Sequence, residues 1–404
     1  MRIVGLIAAL SSLGIATQAP LPLQHASQGP NVSVALFAEL EELARVVDIA
    51  YCVTVGGFGV TKPFSCLSRC TDFPSFVLVD SWNTGPLFSD SCGYIALDHG
   101  KGRIVVAFRG TYDIINTITD LTTIPQEYVP YPGDGEAQHQ GIGAIPEAGR
   151  VSQQVVNGNA SPLPPSHLDQ AKCTDCTVHM GFQTSWTNTR ARIMPYLEQQ
   201  VFLYPHYKLH LVGHSLGGAV AALAGLDMLA HGWYPIVTTF GEPRIGNKGL
   251  VKHIDERFNL LDESEDDTTL RFRHVTHAKD PVPLLPPTEW GFAMHAGEIH
   301  ITRDGTSLNA SDLQHCVGDN DPTCAAGQDP TVLSDADALG KRDLLDSIKN
   351  EVQDVLHEPW GIPARYKIWD LVSAHRDYFW RLGLCVPGGD PSDRKGRNNW
   401  RDWL

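Results

Sequence analysis

Apolar side chains recur at helical spacing in some segments of this chain and form short continuous runs in others. Residues 35–52 and 182–201 carry apolar side chains at helical spacing, and 247–258 is a third predicted helix. Short apolar, β-prone runs predict strands at 93–98, 103–108, 207–212, 235–240 and 270–277. Strands that alternate with helices favour a mostly parallel central sheet with helices on both faces. The predicted fold class is α/β.

Two stretches interrupt this alternation. Residues 127–178 are rich in Pro, Gly and Gln, which predicts a long surface excursion. Residues 326–365 form a second insert, which contains an amphipathic pattern at 341–356. We therefore expect one domain over residues 20–385 that carries these two inserts, followed by a flexible tail at 386–404.

The first residues, MRIVGLIAALSSLGIATQAP, combine one arginine, a short apolar run and small residues. This pattern is typical of a secretory signal peptide, here residues 1–19 with cleavage near 16–19. The run is too short for a membrane anchor, and we expect no integral membrane segment elsewhere. The sequence thus predicts a secreted, extracellular protein, and three Asn-x-Ser/Thr sequons at Asn31, Asn159 and Asn309 fit a glycoprotein.

Charge and cysteine content narrow the chemistry. The formal net charge of −15 argues against a nucleic-acid partner. Nine cysteines agree with an oxidising compartment, and an odd number leaves at least one without a partner in the chain. Cys173 and Cys176 could belong to a redox centre or half a zinc site, but a small structural loop is favoured because no second ligand pair follows. No motif for a metal or cofactor is present.

The string GHSLGG at 213–218 lies between a predicted strand and an Ala- and Leu-rich predicted helix. In that context Gly-x-Ser-x-Gly forms a sharp turn that exposes the serine hydroxyl, and glycines remove the side chains that would block it. Ser215 is therefore the candidate nucleophile, against the alternative of a chance glycine-serine turn. The backbone N–H of Leu216, at a helix N-terminus, is a candidate oxyanion donor.

A serine nucleophile needs a base and an orienting acid, and in α/β-hydrolases the three follow along the chain in the order Ser, Asp or Glu, His. Asp280 directly follows a predicted strand, although an aspartate on a surface turn is an alternative. The histidine remains open from spacing alone, with His375 only modestly ahead of the other candidates, which are His295, His300, His315 and His357.

Several motifs occur together in one order: IVVAFRGT (104–111), VHMGF (178–182), GHSLGG, FGEPRIGN (240–247), KDPVPLLPP (279–287), HAGE (295–298) and H-x-x-Y-F before a late cysteine. This set resembles the fungal class 3 lipase family, of the Rhizomucor lipase type. The resemblance implies an α/β-hydrolase fold with a helical lid, and Ser215, Asp280 and His375 as catalytic triad. It also implies Thr111 as an oxyanion residue, a bridge from Cys52 to Cys385, and short loops closed by Cys66–Cys70 and Cys316–Cys324.

The segment after Thr111 supports the lid. Ile114, Ile115, Ile118 and Leu121 have the spacing of one apolar helix face, and the resembling family carries its lid helix there. A buried core helix is the alternative. Many relatives have a lid tryptophan, whereas Thr117 stands at the corresponding place here.

The resulting prediction is a triacylglycerol lipase that acts on acylglycerol esters at an oil–water interface and needs no cofactor. Feruloyl esterase and phospholipase A1 activities are alternatives on the same fold. The four apolar lid residues argue against the feruloyl esterase, whose lid segment is more polar. A catalytically inactive binding protein is the alternative from another class, and the complete set of triad residues argues against it.

Overall fold

The computed structural model describes residues 32–53, 59–85, 91–111, 125–130, 173–261, 270–328 and 374–387. Several predicted features lie outside these residues: the signal peptide, the greater part of both inserts, the tail from residue 388, and the lid residues Ile114, Ile115, Ile118 and Leu121.

Fourteen strands are present in the described residues: β1 (Phe76–Asn83), β2 (Cys92–Asp98), β3 (Arg103–Arg109), β4 (Pro125–Glu127), β5 (Thr177–His179), β6 (Lys208–His214), β7 (Ile236–Phe240), β8 (Gly246–Asn247), β9 (Phe272–His277), β10 (Phe292–Ala293), β11 (Glu298–Ile301), β12 (Leu313–His315), β13 (Asp377–Tyr378) and β14 (Trp380–Arg381). Eight of them form the central sheet in the order β1-β2-β3-β6-β7-β9-β11-β12. A four-stranded sheet has the order β10-β8-β5-β4, and β13 pairs with β14.

The centre of the large sheet is parallel. Strands β3, β6, β7, β9 and β11 pair in parallel, whereas β1, β2 and β12 add antiparallel edges. The predicted strands 93–98 and 103–108 correspond to β2 and β3, which form an antiparallel pair with seven paired positions, from Cys92 with Arg109 to Asp98 with Arg103. Because the parallel strands end at one edge, the residues that follow β3, β6, β7 and β9 are brought to the same side of the molecule.

Four α-helices are present in the described residues: α1 (Val34–Ala50), α2 (Met180–Leu203), α3 (Leu216–Ala230) and α4 (Lys248–Phe258). Local capping explains where two of them begin. The Ser33 side chain accepts from the backbone N–H of Leu36 at 3.1 Å, and the Asn247 side chain caps α4 through the N–H of Leu250 at 3.1 Å. Short 3₁₀ turns occur at Cys70–Asp72, Val282–Leu284, Thr288–Trp290, Ala310–Asp312 and Ala325–Gln328.

Alternation along the strands builds two hydrophobic cores, one on each face of the sheet. On β3, Ile104, Val106 and Phe108 enter the core that contains α2, α3 and α4, whereas Val105 and Ala107 enter the core under α1. Tyr378, Phe379 and Leu382 of the C-terminal segment also enter the core under α1. The α/β fold with helices on both faces is therefore confirmed.

The mostly apolar run at residues 292–302, which contains His295 and His300, does not form one continuous strand. Phe292–Ala293 belongs to the small sheet and Glu298–Ile301 to the large one. Gly297 lies between them with φ +84°, and a Cβ there would lie 2.6 Å from the Phe272 carbonyl oxygen. Glycine is required at this close approach, so the chain turns, and His295 lies in the connection between the two strands whereas His300 lies on β11.

Four disulfides are present in the described residues: Cys52–Cys385, Cys66–Cys70, Cys173–Cys176 and Cys316–Cys324. The first joins residues 333 positions apart, from the end of α1 to the segment after β14. Cys173–Cys176 closes a short loop just before β5, so these cysteines belong to a structural loop and not to a zinc site. Within the part of the chain given above, no helix has both the length and the apolar character needed to cross a bilayer.

Removing the long bridge is expected to destabilise the fold far more than removing a short one. In the chain-entropy model, loss of Cys52–Cys385 by a double serine substitution costs at most about 5–6 kcal/mol, against about 2 kcal/mol for Cys66–Cys70. Denaturant unfolding of the two double variants measures the difference. Equal losses would contradict a role for the long bridge in restraining the unfolded chain.

Candidate active site

Ser215 stands on the sharp turn between β6 and α3. Its backbone has φ +58° and ψ −131°, a region that non-glycine residues rarely adopt, and its N–H donates to the Phe240 carbonyl at 2.9 Å. The neighbouring glycines leave no room for side chains. A Cβ at Gly213 would lie 2.2 Å from the Gly217 carbonyl oxygen, and one at Gly217 would lie 2.4 Å from the Phe108 carbonyl oxygen. The turn therefore has the geometry expected of a nucleophile elbow.

His375 and Asp280 are in direct contact. The Nδ1 atom of His375 lies 2.9 Å from Oδ2 and 3.1 Å from Oδ1 of Asp280, and both residues are buried. The same carboxylate accepts from the Val282 N–H at 3.0 Å and from the Tyr378 hydroxyl. Burial acts to raise the pKa of Asp280, but attraction to His375 and these hydrogen bonds hold the pKa below its ordinary value of 3.8. Asp280 is therefore ionised near neutrality and orients the imidazole.

His375 is placed next to the elbow through His214. The two imidazole rings stack with centroids 4.7 Å apart, and His214 directly precedes Ser215. The Nε2 atom of His375 is buried and makes no hydrogen bond to any group in the described part of the chain, Ser215 included. Catalytic hydrogen bonds in unliganded sites are often long or absent and form with substrate, so this nitrogen is available to accept a proton.

His214 itself is locked in one neutral form. Its Nε2 faces the His375 carbonyl oxygen at 2.8 Å, which can only accept, so Nε2 carries the proton. Its Nδ1 then accepts from the Tyr51 hydroxyl at 2.6 Å, and Tyr51 in turn accepts from the Gly110 N–H. Burial and the nearby His375 lower the pKa of His214 to about 3. A neutral His214 does not repel positive charge that forms on His375.

The two predicted oxyanion residues are close to Ser215, one as the next residue of the chain and the other next to Gly110, whose backbone approaches the serine. Leu216 is the first residue of α3, where backbone N–H groups have no partner within the helix. Thr111 follows Gly110, and a Cβ at Gly110 would lie 2.8 Å from the Ser215 Cβ, so this backbone passes very close to the serine. The Thr111 hydroxyl is buried with no hydrogen-bond partner among the described residues. A buried, unsatisfied donor beside a nucleophile is the arrangement that an oxyanion hole requires.

The other candidate histidines have different partners. Nε2 of His295 lies 3.3 Å from Glu242, and Nδ1 of His300 lies 2.7 Å from the Thr276 hydroxyl. His315 ends β12 beside the Cys316–Cys324 bridge, and His357 lies outside the described residues. Among the described histidines, the hydrogen bonds to Asp280 come from His375 alone.

Three polar residues of this site escape the pattern analysis. Tyr378 belongs to the H-x-x-Y-F motif and His214 to GHSLGG, so their positions could have suggested a role, whereas Tyr51 has no signal beyond its position before Cys52.

A possible metal site also proves unsuitable. Glu298, Cys316 and Cys324 come within 4.8 Å of one another, but the two sulfurs share a disulfide and cannot act as thiolate ligands.

The arrangement can perform acyl transfer. A hydroxyl on a strained turn, an imidazole oriented by an ionised carboxylate, and candidate oxyanion donors at Leu216 and Thr111 are the parts needed to attack a carbonyl and stabilise the resulting oxyanion.

Comparison with known proteins gives a consistent result. A family model described as Lipase (class 3) matches residues 105–290. The secreted mono- and diacylglycerol lipase 2 of Gibberella zeae is 50% identical over 401 residues, covering 95% of this chain and 90% of the relative. Lipase A of Sodiomyces alcalophilus is 46% identical and covers 98% of this chain and 94% of its own. The crystal structure of the Lip2 lipase of Yarrowia lipolytica is similar with a TM-score of 0.65 at 26% identity, covering 89% of this chain and 98% of that one.

Gly241 offers a test of the packing around His375. It has φ +58°, and a Cβ there would lie 2.8 Å from Cε1 of His375. We expect Gly241→Ala to displace the imidazole and slow covalent labelling of Ser215 by a fluorophosphonate at least about tenfold. Gly232→Ala is the control, because Gly232 has φ +77° with nothing within 4 Å of its added Cβ. Equal labelling rates of the two variants would contradict the contact.

Proposed function

Because the chain belongs to the class 3 lipase family and is therefore a carboxylic ester hydrolase, we propose that it is a secreted lipase that cleaves acylglycerols through Ser215, His375 and Asp280. The contact of buried His375 with Asp280 carries the proposal, because the His375 ring is also stacked against His214, the residue directly before Ser215. The Gibberella zeae relative is named as a secreted lipase, which supports export of this chain. The predicted signal peptide at 1–19 agrees with it.

In the proposed mechanism, His375 Nε2 takes the proton of the Ser215 hydroxyl as Oγ attacks the ester carbonyl. Asp280 holds the ring through Nδ1–H and stabilises the imidazolium. The oxyanion of the tetrahedral intermediate accepts from the Leu216 N–H and from Thr111. The imidazolium then protonates the leaving glycerol oxygen, an acyl-enzyme forms on Ser215, and water activated by His375 hydrolyses it.

The substrate class rests on the relatives and on the predicted lid. The Gibberella zeae relative is named for mono- and diacylglycerols, so we propose that these partial glycerides are substrates; triacylglycerol remains the prediction from the motifs. The proposed lid carries four large apolar side chains, whose full exposure to water costs about 6–12 kcal/mol at about 1.5–3 kcal/mol each. An oil surface removes that cost, so opening is favoured there.

The function is tested with purified protein on emulsified mono-, di- and triacylglycerols, methyl ferulate and a phospholipid, with Ser215→Ala as the inactive control. We expect release of fatty acid from partial glycerides that Ser215→Ala abolishes. Turnover of methyl ferulate with intact acylglycerols would overturn the lipase proposal, and cleavage of phospholipid alone would favour a phospholipase A1.

Two substitutions at Thr111 distinguish a role of its side-chain hydroxyl from a role of its backbone N–H in the oxyanion hole. We expect Thr111→Ala to lower kcat about 10²- to 10³-fold, as removal of one oxyanion donor does, whereas Thr111→Ser keeps the hydroxyl and most of the rate. The kcat of both variants on one soluble ester measures this. If alanine and serine gave the same rate, the side chain would not contribute and the N–H alone would serve.

A further inference from the structure

A buried acid–histidine pair includes Glu242, which directly follows two residues that contact Ser215 and His375. Nε2 of His295 lies 3.3 Å from Oε1 of Glu242, and Oε2 of Glu242 accepts from the Thr239 hydroxyl at 2.6 Å. Both side chains are at most 5% exposed. Neither residue takes part in the mechanism derived above.

We propose that Glu242 and His295 are positioning residues, a buried ion pair that fixes segment 240–242, which contacts both the nucleophile and the catalytic histidine. The proposal rests on the proposed function, because it assigns these residues a role in hydrolysis by Ser215.

Segment 240–242 contacts both sides of the site. The Phe240 carbonyl accepts from the Ser215 N–H at 2.9 Å. The next residue, Gly241, leaves no room between its backbone and the His375 ring, because a Cβ on Gly241 would lie only 2.8 Å from Cε1 of that ring. Glu242 packs on the first turn of α3, where a Cβ at Gly218 would lie 3.2 Å from the Glu242 Cβ. A shift of this segment therefore changes the separation of Ser215 from His375.

The hydrogen-bond partners of His295 require a charged ring. Nε2 faces the Glu242 carboxylate, and Nδ1 faces the Ala296 carbonyl oxygen at 2.7 Å. A carbonyl and an ionised carboxylate can only accept, so both ring nitrogens must donate. Only the imidazolium has two N–H groups, which makes the contact with Glu242 an ion pair and not a neutral hydrogen bond.

The groups that face His295 are arranged to favour this charge. Asp255 of α4 accepts from the Ala296 N–H at 2.9 Å and adds a second carboxylate. Glu298 of β11 also interacts with His295, but burial raises the pKa of Glu298 to about 7, so it carries little charge below that pH and the pairing rests on Glu242 and Asp255. His274 of β9 lies with its ring centroid 4.4 Å away and donates Nε2–H to the His295 carbonyl at 2.9 Å. Burial and the charge of His295 lower the pKa of His274 well below 6.5, so it stays neutral.

The pair has a defined pH window. Burial opposes the charge on His295, but the attraction of Glu242, its hydrogen bond and the attraction of Asp255 raise the pKa above 6.5. A histidine whose folded pKa is raised contributes stability that is complete below about pH 6.5, the unfolded pKa, and is lost as pH rises through the higher folded value. The positioning effect should disappear over the same range.

Glu242→Gln keeps the shape of the side chain and removes its charge. Below the pKa of His295 we expect kcat for p-nitrophenyl butyrate to fall about tenfold, with KM changed less than about twofold, because the reacting groups are misplaced while the ester still binds. As pH rises and wild-type His295 loses its proton, the ratio of wild-type to variant kcat should fall toward one.

Asp227→Asn is the matched control. Asp227 is a buried carboxylate at the far end of α3 that also pairs with a histidine, since Oδ1 lies 3.1 Å from Nδ1 of His231. The substitution makes the same change from carboxylate to amide, and we expect lower stability with kcat within about twofold of wild type, since its contacts lie away from segment 240–242. A pH-independent kcat ratio for Glu242→Gln, or an equal kcat loss in Asp227→Asn, would overturn the proposal.

Titration of His295 in the wild-type protein, followed by NMR of its ring Cε1–H, keeps the proposal testable if Glu242→Gln does not fold. A midpoint above 6.5 is expected, and a ring already neutral below that pH would overturn the ion pair.

Failure of the proposed function gives a different result. If Ser215→Ala hydrolysed the ester as fast as wild type, the catalytic assignment itself would be wrong, whatever Glu242 does.

Discussion

The buried contact between the Asp280 carboxylate and the His375 imidazole is the interaction on which the rest of the site depends. His375 lies in segment 374–387, which is held to the sheet by contacts with distant parts of the chain. The Gly383 N–H donates to buried Asp48 of α1 at 3.0 Å, the Cys52–Cys385 bridge ties the same segment to the end of α1, and the His375 carbonyl accepts from His214. These ties explain how a residue so late in the chain reaches a turn set by the sheet.

The buried histidines are kept in different charge states by their surroundings. His214 and His274 face groups that leave each ring neutral, whereas His295 faces two acceptors and nearby carboxylates. In the low dielectric of the interior, a charge in the wrong ring would compete with the imidazolium that forms on His375. The site thus depends on which neighbouring histidines carry a proton as much as on the three residues of the triad.

Much of the fold can be predicted from the local spacing of apolar residues, because residues 93–277 contain clear strand and helix patterns. Ser215 and Asp280 were predictable because each comes shortly after the end of a predicted strand. The place of that strand in the sheet then determines where the residue lies along the sheet edge. His375 was not predictable from spacing alone, because an insert separates it from β12 and five histidines follow Asp280. Tyr51 and the pair of Glu242 with His295 depend on contacts between distant elements, which periodicity does not encode. The break at Gly297 is not visible in the apolar pattern, because a positive φ at one residue ends an otherwise continuous run.

The most direct test of the account is the crystal structure of the protein with a phosphonate ester bound covalently to Ser215. We predict that Nε2 of His375 lies at hydrogen-bond distance, about 3 Å, from the Ser215 oxygen or the leaving-group position, and that one phosphonyl oxygen accepts from Leu216 and Thr111. An adduct whose phosphonyl oxygen avoids both donors, or in which His375 has left Asp280 and faces away from the serine, would contradict it.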